Sequence, residues 1–449
     1  MKNRICEKKE LELYFHIPFC IRKCYYCDFL SAPGDDETKR HYMKALLAET
    51  AGSASRYAEY CITSIFIGGG TPSVVPTEYM EELLEAVRSR YRLAEEAEIT
   101  MEVNPGTVRR EALLRLRKAG VNRLSIGLQS AHNEELAVIG RIHTWEQFEE
   151  SFAAAREAGF DNINVDLMSG LPGQTLFFYT DSLRKVLSLS RPPEHISAYS
   201  LIVEEGTPFY KKWKGGELDI PDEDTDRLMY QETKTILARE GYRRYEISNY
   251  AKEGYECRHN CGYWKRKNYI GFGIGAASLL ENVRFRNSLQ LNGYLANPLG
   301  CREEIQPLST QEQMEEFFFL GLRMTEGIDC REFEKLFGCR AEEVYGDVIR
   351  KNIRDGLLRY HGQAEQVEGR TSEDRMQGDG LDSNKGEITD GDKDSGELLY
   401  GDRSRREENE KAVRERKNRD RNGADCALYL ALTDRGLDVS NYVMAQFLL

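Results

Sequence analysis

The chain has 449 residues, 40% of them apolar, and a formal net charge of −13. That acidity argues against nucleic acid or an anionic membrane surface as the main partner. No apolar run reaches the ~18 residues of a membrane span, and the charged start MKNRICEKKE lacks the apolar stretch of a secretion signal, so a cytoplasmic protein is expected.

Between residues 11 and 205 short β-rich runs alternate with amphipathic ones. Strands are predicted at 11–17, 63–68, 98–103, 122–128, 162–168 and 195–201, with helices at 38–51, 77–92, 109–119, 145–158 and 177–189 between them. Such alternation implies parallel βαβ units. Six units, with no seventh or eighth of equal regularity, describe an α/β protein with an incomplete (β/α)6 barrel over residues 1–205. Residues 206–305 read as an α+β extension with a helix at 222–240. Residues 306–449 read as a small winged-helix-like C-terminal domain, interrupted by a charged insertion at 362–425. The insertion is too poor in apolar residues to offset its ordering entropy, so disorder is expected there, with 403–421 its one stretch of helical character.

The chemistry concentrates near the barrel's predicted strand ends. YFHIPFCIRKCYYCDFL (14–30) sets Cys20, Cys24 and Cys27 in a C-x3-C-x2-C spacing just past the first strand. Structural zinc wants four closed ligands, and no second pair of knuckles follows. Three thiolates suit a four-iron cluster with one iron left open, the mark of a reactive site. In FIGGGTPS (66–73) the glycines let backbone approach a ligand, and the ending is not that of a phosphate-binding P-loop. Glu102, Gln129 and Asp166 sit at strand ends and Arg141 follows, which points to one polar site for a ligand with amino, carboxylate and ribose groups. Of the other eight cysteines among the eleven, Cys6, Cys61, Cys301, Cys330, Cys339 and Cys426 read as packed thiols. Cys257 and Cys261 flank His259, with no fourth ligand evident for zinc.

With EVNP, GLQS, IGRIHT and DLMSGLPGQT, these segments resemble the radical S-adenosylmethionine (SAM) superfamily, and within it the oxygen-independent coproporphyrinogen III oxidase-like group. The resemblance covers about residues 11–360 and 426–449. It implies a radical-SAM barrel with a [4Fe-4S] cluster on Cys20, Cys24 and Cys27. It also implies SAM on the open iron, contacted by Tyr14, Tyr26, Gly69, Gly70, Thr71, Glu102, Gln129, Arg141 and Asp166. A flavodoxin- or ferredoxin-type reductant follows from the same resemblance.

Two markers separate the group's branches. Phe29 stands where the oxidase branch carries a fourth cysteine, and CRHNCGYW (257–264) is similar to the HNxxYW signature of the HemW-type haem chaperones. This branch implies haem as cargo, His259 as its ligand, and haem-accepting proteins as partners, membrane-associated respiratory ones among them. Ala277 stands where the family often carries a histidine. The alternative is oxidative decarboxylation of coproporphyrinogen III, so whether the protein is an enzyme stays open, as does a homodimer.

Overall fold

The computed structural model describes residues 9–362 and 428–448. The body of the charged insertion, its 403–421 stretch, Cys6 and Cys426 lie outside the described residues.

Six parallel strands form the centre: β1 (Lys9–Ile17), β2 (Tyr60–Gly69), β3 (Leu93–Val103), β4 (Arg123–Gln129), β5 (Ile163–Ser169) and β6 (His195–Ser200), paired in sequence order. Helices Asp36–Ser53, Thr77–Arg90, Arg110–Lys118, Trp145–Glu157 and Leu176–Leu187 make the crossovers between them. Alternation decides what each strand face does. Leu11, Leu13 and Phe15 on β1, Leu124, Ile126 and Leu128 on β4, and Ile163, Val165 and Leu167 on β5 are buried in the main core. The intervening residues are polar: Arg123, Ser125 and Gln129 on β4, Asn164 and Asp166 on β5, Ser197 and Tyr199 on β6. These line the barrel interior. The expected six-unit α/β barrel is therefore present, with a polar lumen.

The extension does not form a sheet of its own. Short β7 (Arg243–Arg244) and β8 (Asn249–Ala251) continue the sheet antiparallel beyond β6. On the other side β9 (Tyr269–Phe272) runs parallel to β1, followed by β10 (Ala277–Leu280), β11 (Val283–Asn287) and β12 (Arg302–Pro307) in antiparallel pairs. One twelve-stranded sheet results, so both edges of the partial barrel are covered.

The C-terminal residues build a second core. Helices Thr310–Gly321, Cys330–Phe337 and Ala341–Arg354 pack on a sheet of β13 (Ile328–Asp329), β15 (Leu428–Leu432) and β14 (Leu358–Gly362), in that order and antiparallel. Phe318, Phe333, Tyr345, Leu430 and Phe447 fill it. Because β14 and β15 pair from Leu358↔Leu432 to Gly362↔Leu428, residues 363–427 connect two neighbouring strands of this domain. Among the described residues no helix is long and apolar enough to cross a membrane.

The short helix Arg258–Trp264 plugs the N-terminal end of the barrel. Glu98 on β3 anchors it: its buried carboxylate accepts from the Arg258 and His259 backbone N–H groups at 3.0 and 3.2 Å. These are helix N-terminal donors with no partner inside the helix, and the carboxylate also opposes the helix dipole. Gly262 passes directly over Glu12, where any Cβ would fall 2.1 Å from the carboxylate. Replacing Glu98 by Ala removes both acceptor contacts from a buried helix end. The expected loss is about 1–3 kcal/mol, read as a lower urea midpoint at neutral pH; an unchanged midpoint would refute the anchor.

Candidate active site

The cysteine loop is set by the join between β1 and β2. Beyond Gly69 the ladder continues through Gly70 N–H to Ile17 O at 2.8 Å and Thr71 N–H to Phe19 O at 2.7 Å. A Cβ on Gly70 would lie 2.7 Å from Phe19 O and 2.8 Å from Ile17 O, so only glycine permits that approach. Ala32 N–H to Pro18 O at 2.9 Å and Cys20 N–H to Ala32 O at 3.2 Å close the loop on itself. Its far side is held by the segment after β4: Tyr25 N–H donates to Ile139 O at 3.1 Å and Arg22 Nη2 to Gly140 O at 2.8 Å.

Cys20, Cys24 and Cys27 then share one half-buried wall of a cavity of about 290 Å³ at the C-terminal strand ends. A polar relay links two of the thiols. Arg141 Nη1 points at Cys24 Sγ at 3.8 Å, Arg141 Nη2 donates to Asn104 Oδ1 at 2.8 Å, Asn104 Nδ2 donates to Thr71 Oγ1 at 2.7 Å, and Thr71 Oγ1 donates to Cys20 Sγ at 3.5 Å. A hydroxyl donor and a cation thus face two of the three sulfurs, and burial pushes the third thiol, Cys27, up. Glu102 accepts from Gly69 N–H at 3.0 Å. Burial, with the nearby Asp166 charge, pushes its carboxyl up to about 7. Gln129 holds φ at 74°, where β4 bulges against β5, and accepts from Tyr199 O–H at 3.0 Å. A non-glycine residue in the left-handed region at a strand end is the kind of local strain that collects at functional sites. Burial also raises Asp166, which accepts from Asn164 Nδ2 at 2.7 Å.

Of the twelve residues expected at the cluster and SAM, the cavity gathers Cys20, Cys24, Cys27, Tyr26, Gly69, Gly70, Thr71, Glu102, Gln129, Arg141 and Asp166. Tyr14 is the exception. Its hydroxyl shares a hydrogen bond with His16 Nδ1 at 3.0 Å, and its ring lines a separate cleft of about 310 Å³ with Tyr263, Trp264, Tyr269, Ala277 and Arg284. His259 lies in the plug helix and off both cavities. It is wholly buried, with Nδ1 hydrogen-bonded to Ser64 Oγ at 2.8 Å and Nε2 to Tyr263 O–H at 2.9 Å, and its ring stacks on Phe66. Burial drops its pKa to about 3. Both ring nitrogens of His259, the expected haem ligand, are thus hydrogen-bonded inside the barrel plug. The aromatic pair of the same motif, Tyr263 and Trp264, faces the cleft instead.

The expectations missed Arg123, Asn104, Ser125, Asn164, Ser197, Tyr199 and Asn260, all on the cavity wall. Strand alternation would have found most of them. In RLSIGLQ every second residue is polar or glycine, and in a barrel that face turns inward.

The donor set fits a multi-iron cluster better than a single ion. Three thiols share one cavity wall, yet among the described residues no three His, Cys, Asp or Glu side chains converge closely enough for one metal ion. The same holds for Cys257 and Cys261, whose thiols burial pushes up, so the zinc reading loses support.

A cysteine loop over the C-terminal end of a parallel (β/α)6 sheet is the arrangement of a radical SAM protein. Residues 14–177 match the Radical SAM superfamily and residues 308–369 the HemN C-terminal domain. Proteins named "Heme chaperone HemW" are 41% identical over 362 residues in Escherichia coli and 38% over 352 residues in Lactococcus lactis, each covering 78% of this chain and 91% of the relative. The Bacillus subtilis HemW is 36% identical, over 77% of this chain and 92% of its own. The chain belongs to the HemW family of radical SAM proteins. In fold it is similar to the solved coproporphyrinogen III oxidase HemN of E. coli, with a TM-score of 0.69 at 23% identity over 79% of this chain and 86% of that one.

The raised Glu102 carboxyl has a sign that can be tested. The folded state binds this proton more tightly than the unfolded chain, so its contribution to stability is present in acid and lost as pH rises through about 7. Glu102→Gln removes that loss. Its urea midpoint, relative to the unsubstituted protein, should rise between about pH 5 and about pH 8; a difference that does not change with pH would contradict the burial.

Proposed function

We propose that this chain is a haem chaperone carrying a [4Fe-4S] cluster on Cys20, Cys24 and Cys27 and SAM in the cavity beneath them. It binds haem and hands it to haem-requiring proteins. The observation that supports this most is the grouping of three thiols with Gly69, Gly70, Thr71, Glu102, Gln129, Arg141 and Asp166 around one cavity, in a chain whose relatives bear the name heme chaperone.

When bound, the cluster supplies the single-electron chemistry of the superfamily. The chain's own residues do the holding. Arg141 and Thr71 offset negative charge on Cys24 and Cys20. The backbone of Gly69 and Gly70 lies open to an amino acid moiety, and Asp166 and Gln129 offer acceptors to ribose hydroxyls. Phe29, at the cavity mouth and largely exposed, provides no fourth thiolate. For the cargo, the cleft of Tyr14, Tyr263, Trp264 and Tyr269 offers an aromatic face to a porphyrin, with Arg284 within reach of a propionate. A cytoplasmic location, a flavodoxin- or ferredoxin-type reductant and membrane-associated acceptors complete the reading.

Two measurements test it. With reconstituted cluster, SAM, reductant and coproporphyrinogen III under anaerobic conditions, no protoporphyrinogen IX should accumulate beyond one equivalent; many turnovers would make the protein an oxidase. In a haem titration followed by the Soret band, Trp264→Ala should weaken binding about tenfold, the effect of ~1.4 kcal/mol. His259→Gln should leave affinity and band position unchanged. A shifted band in the His259 variant would return that residue to the haem.

A further inference from the structure

The three cysteine sulfurs are served differently by their surroundings. Cys27 meets a group of its own loop, the Phe29 backbone N–H. Cys20 and Cys24 face side chains from other elements, Thr71 Oγ1 at 3.5 Å and Arg141 Nη1 at 3.8 Å. One residue, Asn104, stands between those two side chains and bonds to both.

Asn104 follows the last residue of β3 and precedes Pro105, which favours extended backbone there. Its main chain is clamped on both sides. The N–H donates to Ser73 Oγ at 3.4 Å, and the C=O accepts from Thr107 N–H at 3.1 Å and Thr107 O–H at 2.6 Å. The side chain therefore leaves from a fixed point, and donor chemistry decides which way round the amide sits. A guanidinium can only donate, so the amide oxygen faces Arg141 and the amide nitrogen faces Thr71. The consequence falls on the Thr71 hydroxyl. Its oxygen accepts from Asn104 Nδ2 at 2.7 Å, which leaves its single proton for Cys20 Sγ. Arg141 has a second anchor in Gly127 O, so it is the direction of the Thr71 hydroxyl that depends most on Asn104.

We propose that Asn104 is a positioning residue that sets the reduction potential of the cluster by fixing Thr71 as a donor to Cys20. The inference rests on the preceding reading in one respect, that the three cysteines hold a cluster. A donor at a cluster sulfur stabilises the reduced state, which carries one more negative charge, and so raises the potential. Alanine in place of Asn104 would leave the Thr71 hydroxyl free to turn. Aspartate would reverse it, drawing the Thr71 proton to the new carboxylate and away from sulfur. A residue that only held the loop in place would alter iron content or stability and leave the potential of an assembled cluster alone.

The test is an anaerobic dithionite titration of the full-length, cluster-reconstituted protein at pH 8 without SAM. The reduced fraction is read from the spin-half signal. At a fixed solution potential, Asn104→Asp should lower the ratio of reduced to oxidised cluster about tenfold, ~59 mV for one electron, with about four irons per chain retained. Thr71→Val should lower it about fivefold, and Thr71→Ser, which keeps the hydroxyl, should leave it within about twofold. Both losses act through one hydrogen bond, so the double variant should match Asn104→Asp alone. If Asn104→Asp assembles no cluster, Asn104→Ala takes its place in the same cycle. It should lower the ratio about threefold, with no further fall in the Thr71→Val background. An unchanged ratio in Asn104→Asp with an intact cluster overturns the assignment, as does a double variant whose fall is the product of the single ones. A fall seen only with SAM present would give the relay to the cofactor and overturn it equally. A parent protein that assembles no cluster strikes the preceding reading and this inference together, whereas an assembled cluster of unchanged potential strikes this inference alone.

Discussion

Two backbone hydrogen bonds, Gly70 to Ile17 and Thr71 to Phe19, fix the relation between the cysteine loop and the barrel. They extend the β1–β2 ladder past the end of β2 and exist because Gly70 has no Cβ to strike the opposing carbonyls. Everything at the cavity mouth is referenced to them. Thr71 is placed to reach Cys20 and Asn104, Asn104 to reach Arg141, and Arg141 to reach Cys24. A displaced ladder would turn each of these side chains away together. The thiols sit in an otherwise irregular loop, yet their position is inherited from the parallel β1–β2 ladder.

The lumen below is built against the usual preference of a protein interior. Glu12, Glu98 and Arg123 are all enclosed, and among the described residues one Glu12 oxygen and the Arg123 Nε have no hydrogen-bond partner. Burial pushes Glu12 up to about 8. Enclosed polar atoms without a hydrogen bond are costly, and the main core on the outer strand faces supplies the stability that tolerates them. The plug helix completes this design. It closes the floor through Glu98, seats His259 between Ser64 and Tyr263, and turns Tyr263 and Trp264 outward to a different cleft. One seven-residue helix therefore serves two surfaces, and its histidine belongs to the packing between them.

Most of the fold was legible because helix and strand periods differ. Each of the six predicted strands falls within or against an observed one, and the crossover helices end within two residues of expectation. The cysteine spacing, the glycine turn and the strand-end acids were legible for the same reason: a strand end followed by a motif locates itself. Arg123, Asn164 and Asn260 were not found, because a polar residue early in a strand reads as a solvent contact unless the lumen is known to be polar. The surroundings of the histidine in the HNxxYW segment were not legible, because a ligand and a buried hydrogen-bonding residue look identical in sequence. Only the positions of Ser64 and Tyr263, the first of them distant in the chain, tell them apart. That the extension would join the barrel sheet was equally invisible, since the pairing of β9 with β1 spans more than 250 residues.

The central claim is that Cys20, Cys24 and Cys27 hold a cluster with one iron open to SAM. It is tested most directly by electron paramagnetic resonance of the reduced, reconstituted protein together with its iron content. The account predicts about four irons per chain and a spin-half signal that changes when SAM is added. It predicts loss of both iron and signal on replacing any one of those three cysteines by alanine, and retention of both on replacing Cys257 or Cys261. A cluster that survives the loss of Cys24, or one that disappears only with Cys257 or Cys261, would contradict it.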